Sequence, residues 1–179
     1  MRILATLLAL FAVTAAHAAP KKAPKEESAA ASPTEKVGST TPRLTPDFTF
    51  PGPGNKARTV RSLRGQPVIL LITDTPANRA FRKQLERLAP LYSEFAARKT
   101  VFIAAFTKEH DGAVKSNMPF VIANDGAAVA AAFGMKEPFN NVIIGQDGNV
   151  NYQTAQVLPG ERVRDVLQNA LPVQHQMRK

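Results

Sequence analysis

The sequence predicts an α/β domain, a mixed central β-sheet flanked by helices. Three observations lead there. Residues 68–72 (Val-Ile-Leu-Leu-Ile) and 101–106 (Val-Phe-Ile-Ala-Ala-Phe) are unbroken apolar runs of strand length. Such runs mark strands covered on both faces rather than strands with one wet side. Between them Phe81, Leu85, Leu88, Tyr92 and Phe95 recur at helical spacing. Later in the chain, residues 141–144 and 149–153 flank Gln146-Asp147-Gly148, which reads as a hairpin.

The remaining elements follow in order. Residues 48–50 and 59–61 are short alternating segments around Pro51-Gly52-Pro53-Gly54-Asn55, a second hairpin with a turn-rich loop. After the strand at 68–72, Thr75 stands as a helix N-cap with Pro76 at the first helical position, where a fixed φ and a missing N–H do no harm. Pro90 falls inside the apolar stripe and should split or kink that helix. A polar stretch, 107–117, leads to a strand around 119–123. Asp125-Gly126 then opens an alanine-rich helix that Gly134 closes. Pro159-Gly160-Glu161-Arg162 starts a last helix with Val163, Val166, Leu167 and Leu171 facing inward. Three strands joined through helices, plus two hairpins, imply helices on both sheet faces.

Ahead of this domain the composition changes twice. Arg2, an apolar run over residues 3–13 and Ala16-His17-Ala18 form the three parts of a secretory signal, so residues 1–18 are expected to be cleaved. The run is too short to cross a bilayer, which takes about 20 apolar residues. Residues 19–43 are rich in Ala, Pro, Lys and Glu and hold Val37 as the only large aliphatic residue, the composition of a solvated linker. The domain proper is 44–179. Export places it in the periplasm or outside the cell, with no membrane span after cleavage.

The formal net charge is +9, and the chain has no cysteine, no tryptophan and two tyrosines. A basic balance can serve nucleic acid, anionic lipid or acidic proteins. Nucleic acid is excluded as the expected partner because the domain's charges are interspersed and few aromatic rings are available for base stacking. Without cysteine in an oxidising compartment, stability comes from packing rather than disulfides.

The order of elements and several local strings together resemble the redoxin branch of the thioredoxin-like superfamily, which includes peroxiredoxins of the alkyl-hydroperoxide-reductase type. The strings are Pro46-Asp47-Phe48, Ser62-Leu63-Arg64-Gly65-Gln66-Pro67, Ala131-Ala132-Phe133-Gly134-Met135 and the run from Val142 to Val150. In the last of these, Gly145 replaces the acidic residue usual in the family. The likeness spans residues 44–171 and implies a thioredoxin-like fold. It also implies that Thr75, Pro76, Ala77, Asn78 and Ala80 occupy the redox site. Family members carry Cys-x-x-Cys there, aligned with Ala77 and Ala80, or Thr-Pro-x-Cys, whose cysteine aligns with Asn78. Counting back from Gly148, the late loop position that is a cis-proline in thioredoxins falls on Phe139. Pro138 lies one residue earlier and is the candidate for a cis bond.

Peroxide and disulfide chemistry need a thiolate, so thiol catalysis is excluded by composition. Other chemistry finds no constellation. His17, His110 and His175 are scattered, so no metal site and no cofactor is expected. Ser62, Ser93 and Ser116 have no histidine beside them in sequence, Asp125 and Asp147 read as caps or turn residues, and residues 51–54 are turn chemistry rather than a phosphate loop. What remains is a basic face: Arg79, Arg82, Lys83 and Arg87 lie opposite the apolar stripe and begin at a helix N-terminus. With Asn78 they form the candidate surface for a partner or anion. The expected function is non-catalytic binding or scaffolding of another envelope protein, with an acidic partner as one option. The alternative is an accessory role beside a separate thiol enzyme in a redox or peroxide-defence pathway.

Overall fold

A computed structural model describes residues 43–109, 114 and 116–169. The expected signal segment, nearly all of the expected linker, His110, Leu171 and His175 lie outside the described residues. No helix among the described residues is long and apolar enough to cross a membrane.

The two unbroken apolar runs become neighbouring central strands, β4 (Val68–Thr73) and β5 (Val101–Phe106), paired parallel. Both are almost entirely buried, as runs without alternation require. The late hairpin is β7 (Phe139–Ile144) with β8 (Asn149–Thr154), and β7 lies antiparallel along the other side of β4. Two short strands complete the sheet, β1 (Arg43–Leu44) beside β8 and β6 (Val121–Ile122) beside β5, giving the order β1-β8-β7-β4-β5-β6. Arg43, which composition places at the end of the linker, is therefore the first paired residue of the sheet.

Helices cover both faces. On one lie α1 (Arg79–Leu88), α2 (Tyr92–Ala97) and α4 (Gly160–Asn169), whose Phe81, Leu88, Phe95, Val163 and Leu167 pack with Ile69, Leu71, Phe102 and Ile143. On the other lie α3 (Gly126–Ala132) and a separate hairpin, β2 (Thr49–Pro51) with β3 (Ala57–Thr59). There Phe50, Val129 and Phe133 pack with Leu70, Ile72, Ile103 and Val142. Pro90 splits the helix as expected: α1 ends at Leu88, and a 3-10 turn over Ala89–Leu91 hands the chain to α2. Gly134, at φ 63°, closes α3. Its N–H reaches Ala131 O at 3.0 Å and the Met135 N–H reaches Ala130 O at 2.9 Å, the paired bonds of a Schellman ending.

Two local expectations are corrected. The partner strand of the first hairpin is Ala57–Thr59 rather than 59–61, because Val60 and Leu63 turn inward on a 3-10 turn and are buried in the core. Thr75 does not cap α1. Thr75-Pro76-Ala77-Asn78 forms a turn closed by the Asn78 N–H on Thr75 O at 3.1 Å, and the helix starts three residues later than the Thr-Pro signal suggests.

Candidate functional site

The carboxyl end of β4 delivers the chain to the position that corresponds by resemblance to the redox site. Thr73 is the last strand residue and fully buried; Asp74 and the turn follow, and α1 begins at Arg79. Asn78 is the N-cap. Its side-chain Oδ1 accepts from the N–H groups of Ala80 at 2.8 Å and Phe81 at 3.3 Å. These are donors that a helix N-terminus otherwise offers to an anion. Asn78, one of the positions that the sequence resemblance sets against a redox cysteine, thus occupies the kind of helix N-terminal donors that lower the pKa of a thiolate where one is present.

The other end of the Asn78 amide is also engaged. Nδ2 donates to Asp74 Oδ1 at 2.9 Å and lies 3.4 Å from the carbonyl of Pro138, in the loop entering β7. Thr73 Oγ1 reaches the same two acceptors, Pro138 O at 3.0 Å and Asp74 Oδ1 at 3.2 Å. Its single proton serves one of them at a time. The Thr75 N–H donates to Asp74 Oδ1 at 2.8 Å, and Lys108, just past β5, stands 3.9 Å from Asp74 Oδ2. A short polar latch therefore ties the end of β4, the cap of α1 and the loop before β7. Pro138 takes part through its carbonyl, not through its peptide geometry: no cis peptide bond occurs among the described residues, so the expected candidate for one is trans.

Hydrogen bonding from the Asn78 amide holds the Asp74 carboxyl below its ordinary range. The Thr75 N–H, the Thr73 hydroxyl and the Lys108 charge act in the same direction, against the opposing effect of burial. The sign of the pH dependence follows. A depressed carboxyl contributes stability that is whole above its unfolded value, near 3.8, and is lost as pH falls through the lower folded value. Urea denaturation below about pH 4 should show this loss. Asp74→Asn should flatten that part of the acid limb while lowering stability at neutral pH; an unchanged acid limb in the variant would remove Asp74 from the latch.

The remaining expected site residues are spread around this end. Ala77 is exposed and Ala80 half-buried against the α1 core. Arg79, Arg82, Lys83 and Arg87 are all exposed on α1. None has an ion-pair partner among the described residues. Sequence reasoning omits Glu86, exposed on the same helix four residues after Arg82 and three after Lys83, which interrupts the basic face with one acid. It also omits Asp74 and Lys108. An acid four residues before an asparagine was the available signal for the first, while Lys108 reaches the site only through the parallel pairing of β5 with β4. Among the described residues no group of three or more His, Cys, Asp or Glu is placed to hold a metal. Asp125 caps α3 through the Ala128 N–H at 2.8 Å, and Asp147 accepts from the Asn149 N–H at 3.0 Å, the turn roles their sequence contexts suggest.

No family model matches the chain, and no curated protein matches it. Solved structures do. A Chlorobium tepidum protein assigned as the thiol:disulfide interchange protein DsbE superposes with a TM-score of 0.59 at 17% identity, covering 73% of this chain and 96% of that one. Peroxidoxin BcpB from Mycobacterium tuberculosis gives a TM-score of 0.54 at 20% identity, covering 73% and 97%. The exposed lipoprotein thioredoxin Etrx1 from Streptococcus pneumoniae gives 0.53 at 14% identity, covering 69% and 99%. The chain has the thioredoxin-like fold of the redoxins. Within that fold this chain has no cysteine.

Proposed function

We propose that this chain is an exported, non-catalytic thioredoxin-fold protein that binds or scaffolds other envelope proteins. The observation that carries the reading is Asn78. Its carbonyl oxygen takes two helix N-terminal donors and its amide holds Asp74, so the position serves the fold where a redox enzyme needs a reactive sulfur. Conventional thiol turnover has no nucleophile here.

Recognition is assigned to the outer face of α1. Arg79, Arg82, Lys83 and Arg87 present cations that no described residue neutralises, a surface suited to an acidic segment of a partner. Asn78 stands beneath them as their anchor, since its own polar atoms are committed to the latch. Export rests on the signal-like residues 1–18, and the exposed lipoprotein thioredoxin is an instance of the same fold outside the cytoplasm. An accessory role beside a thiol enzyme is the second reading, favoured by the thiol:disulfide interchange protein and the peroxidoxin among the structural neighbours.

The test is crosslinking capture from an envelope extract at low and high salt, followed by binding with the purified partner. Arg79→Ala with Arg82→Ala should weaken binding of that partner about tenfold at low salt and less at high salt, because exposed charges are screened. Binding unchanged by the double variant would sink the α1 assignment. A partner that is itself a cysteine-bearing redoxin would favour the accessory role.

A further inference from the structure

The charges on α1 are placed against the stability of the helix that carries them. Arg79 stands in the first turn, which holds no acid, where the partial positive charge of the helix end repels a cation. Glu86 stands in the last turn, where the unpaired carbonyls repel an acid. Glu86 also follows Arg82 by four residues, and an acid supports a helix better when it precedes its base. Only Arg87, in the last turn, is placed as the helix dipole favours. Selection for helix stability alone favours the opposite order, acids first and bases last.

These charges form a pattern rather than a uniform field. At about 100° per residue, Glu86 falls between Arg82 and Arg79, inside the arc that those two span with Lys83 and Arg87. All five side chains are exposed, and none has an ion-pair partner among the described residues. Phe81, Gln84 and Leu88 take the buried side of α1, so the charged arc faces away from the sheet. A wholly acidic chain laid on the arc meets four attractions and one repulsion. A chain with one base among its acids turns that repulsion into a fifth attraction.

We propose that Glu86 sets the specificity of this face, selecting an acidic protein segment that carries one basic residue among its acids. Uniformly acidic chains are disfavoured by the same carboxylate, which gives a reason for keeping an acid where the helix gains nothing from it. The inference rests on the assignment of recognition to α1 and adds to it the charge pattern of the partner.

The test uses two synthetic peptides, one of glutamates throughout and one with a single central lysine among the same glutamates. Each is titrated at low salt into the 15N-labelled protein and followed by the backbone amide resonances of α1. Both should bind with a Kd on the order of 1 mM, as a few exposed charge pairs allow. The wild type should hold the lysine peptide at least as tightly as the uniform one, although the uniform one carries more negative charge. Glu86→Gln should reverse the order and favour the uniform peptide about threefold or more. Its Tm should hold or rise, because an acid leaves the last turn; a lower Tm would mean that Glu86 serves the fold and would overturn the proposal. Arg79→Ala with Arg82→Ala should weaken both peptides about fivefold. If that double variant binds both as the wild type does, or if neither peptide shifts α1, the assignment of recognition to α1 fails and this inference with it. If the double variant loses both while Glu86→Gln leaves the preference between them unchanged, the α1 assignment stands and the role of Glu86 is refuted.

Discussion

Replacing Gln84 with alanine is expected to destabilise the domain by about 2–5 kcal/mol, the largest loss among single changes to its polar interior. Gln84 is fully buried on the inner side of α1. Its Nε2 donates to Leu158 O at 3.1 Å and its Oε1 accepts from the Leu158 N–H at 2.7 Å. One side-chain amide thus satisfies both backbone groups of a buried residue in the segment leading to α4. Alanine removes the packing and strands both groups, and each buried unsatisfied group costs about 1–3 kcal/mol. Leucine restores volume but not the hydrogen bonds, so Gln84→Leu should recover only part of the loss. Gln84→Glu supplies a sharper check. A protonated carboxyl can donate to Leu158 O and accept from its N–H as the amide does, whereas a buried carboxylate cannot donate. Burial therefore raises the folded value of that carboxyl above its unfolded one. The variant should lie nearest wild type in mild acid and lose stability as pH rises through the raised value. Urea titrations at several pH values give the answer, and a glutamate variant equal to wild type at neutral pH would contradict the pairing.

Gly126→Ala is expected to cost about 3 kcal/mol, against the sign of helix propensity. Alanine in a helix interior is usually better than glycine by roughly 0.5–1 kcal/mol. Here α3 begins against the end of β5, and a Cβ on Gly126 would overlap the Phe106 carbonyl and lie 2.6 Å from Phe106 N. That overlap is with backbone, which cannot rotate away as a side-chain tip can. The first turn of α3 must retreat from the sheet, weakening the Asp125 cap and the packing of Val129 and Phe133. The clash outweighs the propensity gain several-fold. Thermal unfolding settles the sign: a raised Tm would mean that α3 does not sit against β5 as described.

These two residues show where the sequence is readable and where it is not. The strands at 68–72 and 101–106 were legible because burial on both faces removes alternation, a local property of the string. Pro90 and Gly134 were legible because a missing N–H and a positive φ act on the adjacent backbone alone. Gln84 reads as a polar residue beside an apolar stripe, and only the arrival of Leu158 from 74 positions away makes it an interior clamp. Asn78 stands out in the sequence only as one of the positions that the resemblance sets against a cysteine, with Ala77 and Ala80 as the alternative, while the local cap signal points to Thr75. The Thr-Pro pair carries the local N-cap signature, but Asp74 and the Pro138 carbonyl draw the start of the helix to Asn78. The start of β7 at Phe139 and the buried Asn140 gives no signal of its own, since an asparagine after Pro138 and Phe139 reads equally well as a loop ahead of the strand read at 141–144.

The central claim is that Asn78 and Asp74 bond to each other as part of the fold at the start of α1. A double-mutant cycle on Asp74 and Asn78 tests it most directly, with Asp74→Ala, Asn78→Ala and the combined variant unfolded in urea at neutral pH. Residues in direct contact typically couple by 0.5–3 kcal/mol, and the cycle should return about 1 kcal/mol or more of favourable coupling. Strictly additive losses would mean that Asp74 and Asn78 act independently, and the latch at the start of α1 would not exist.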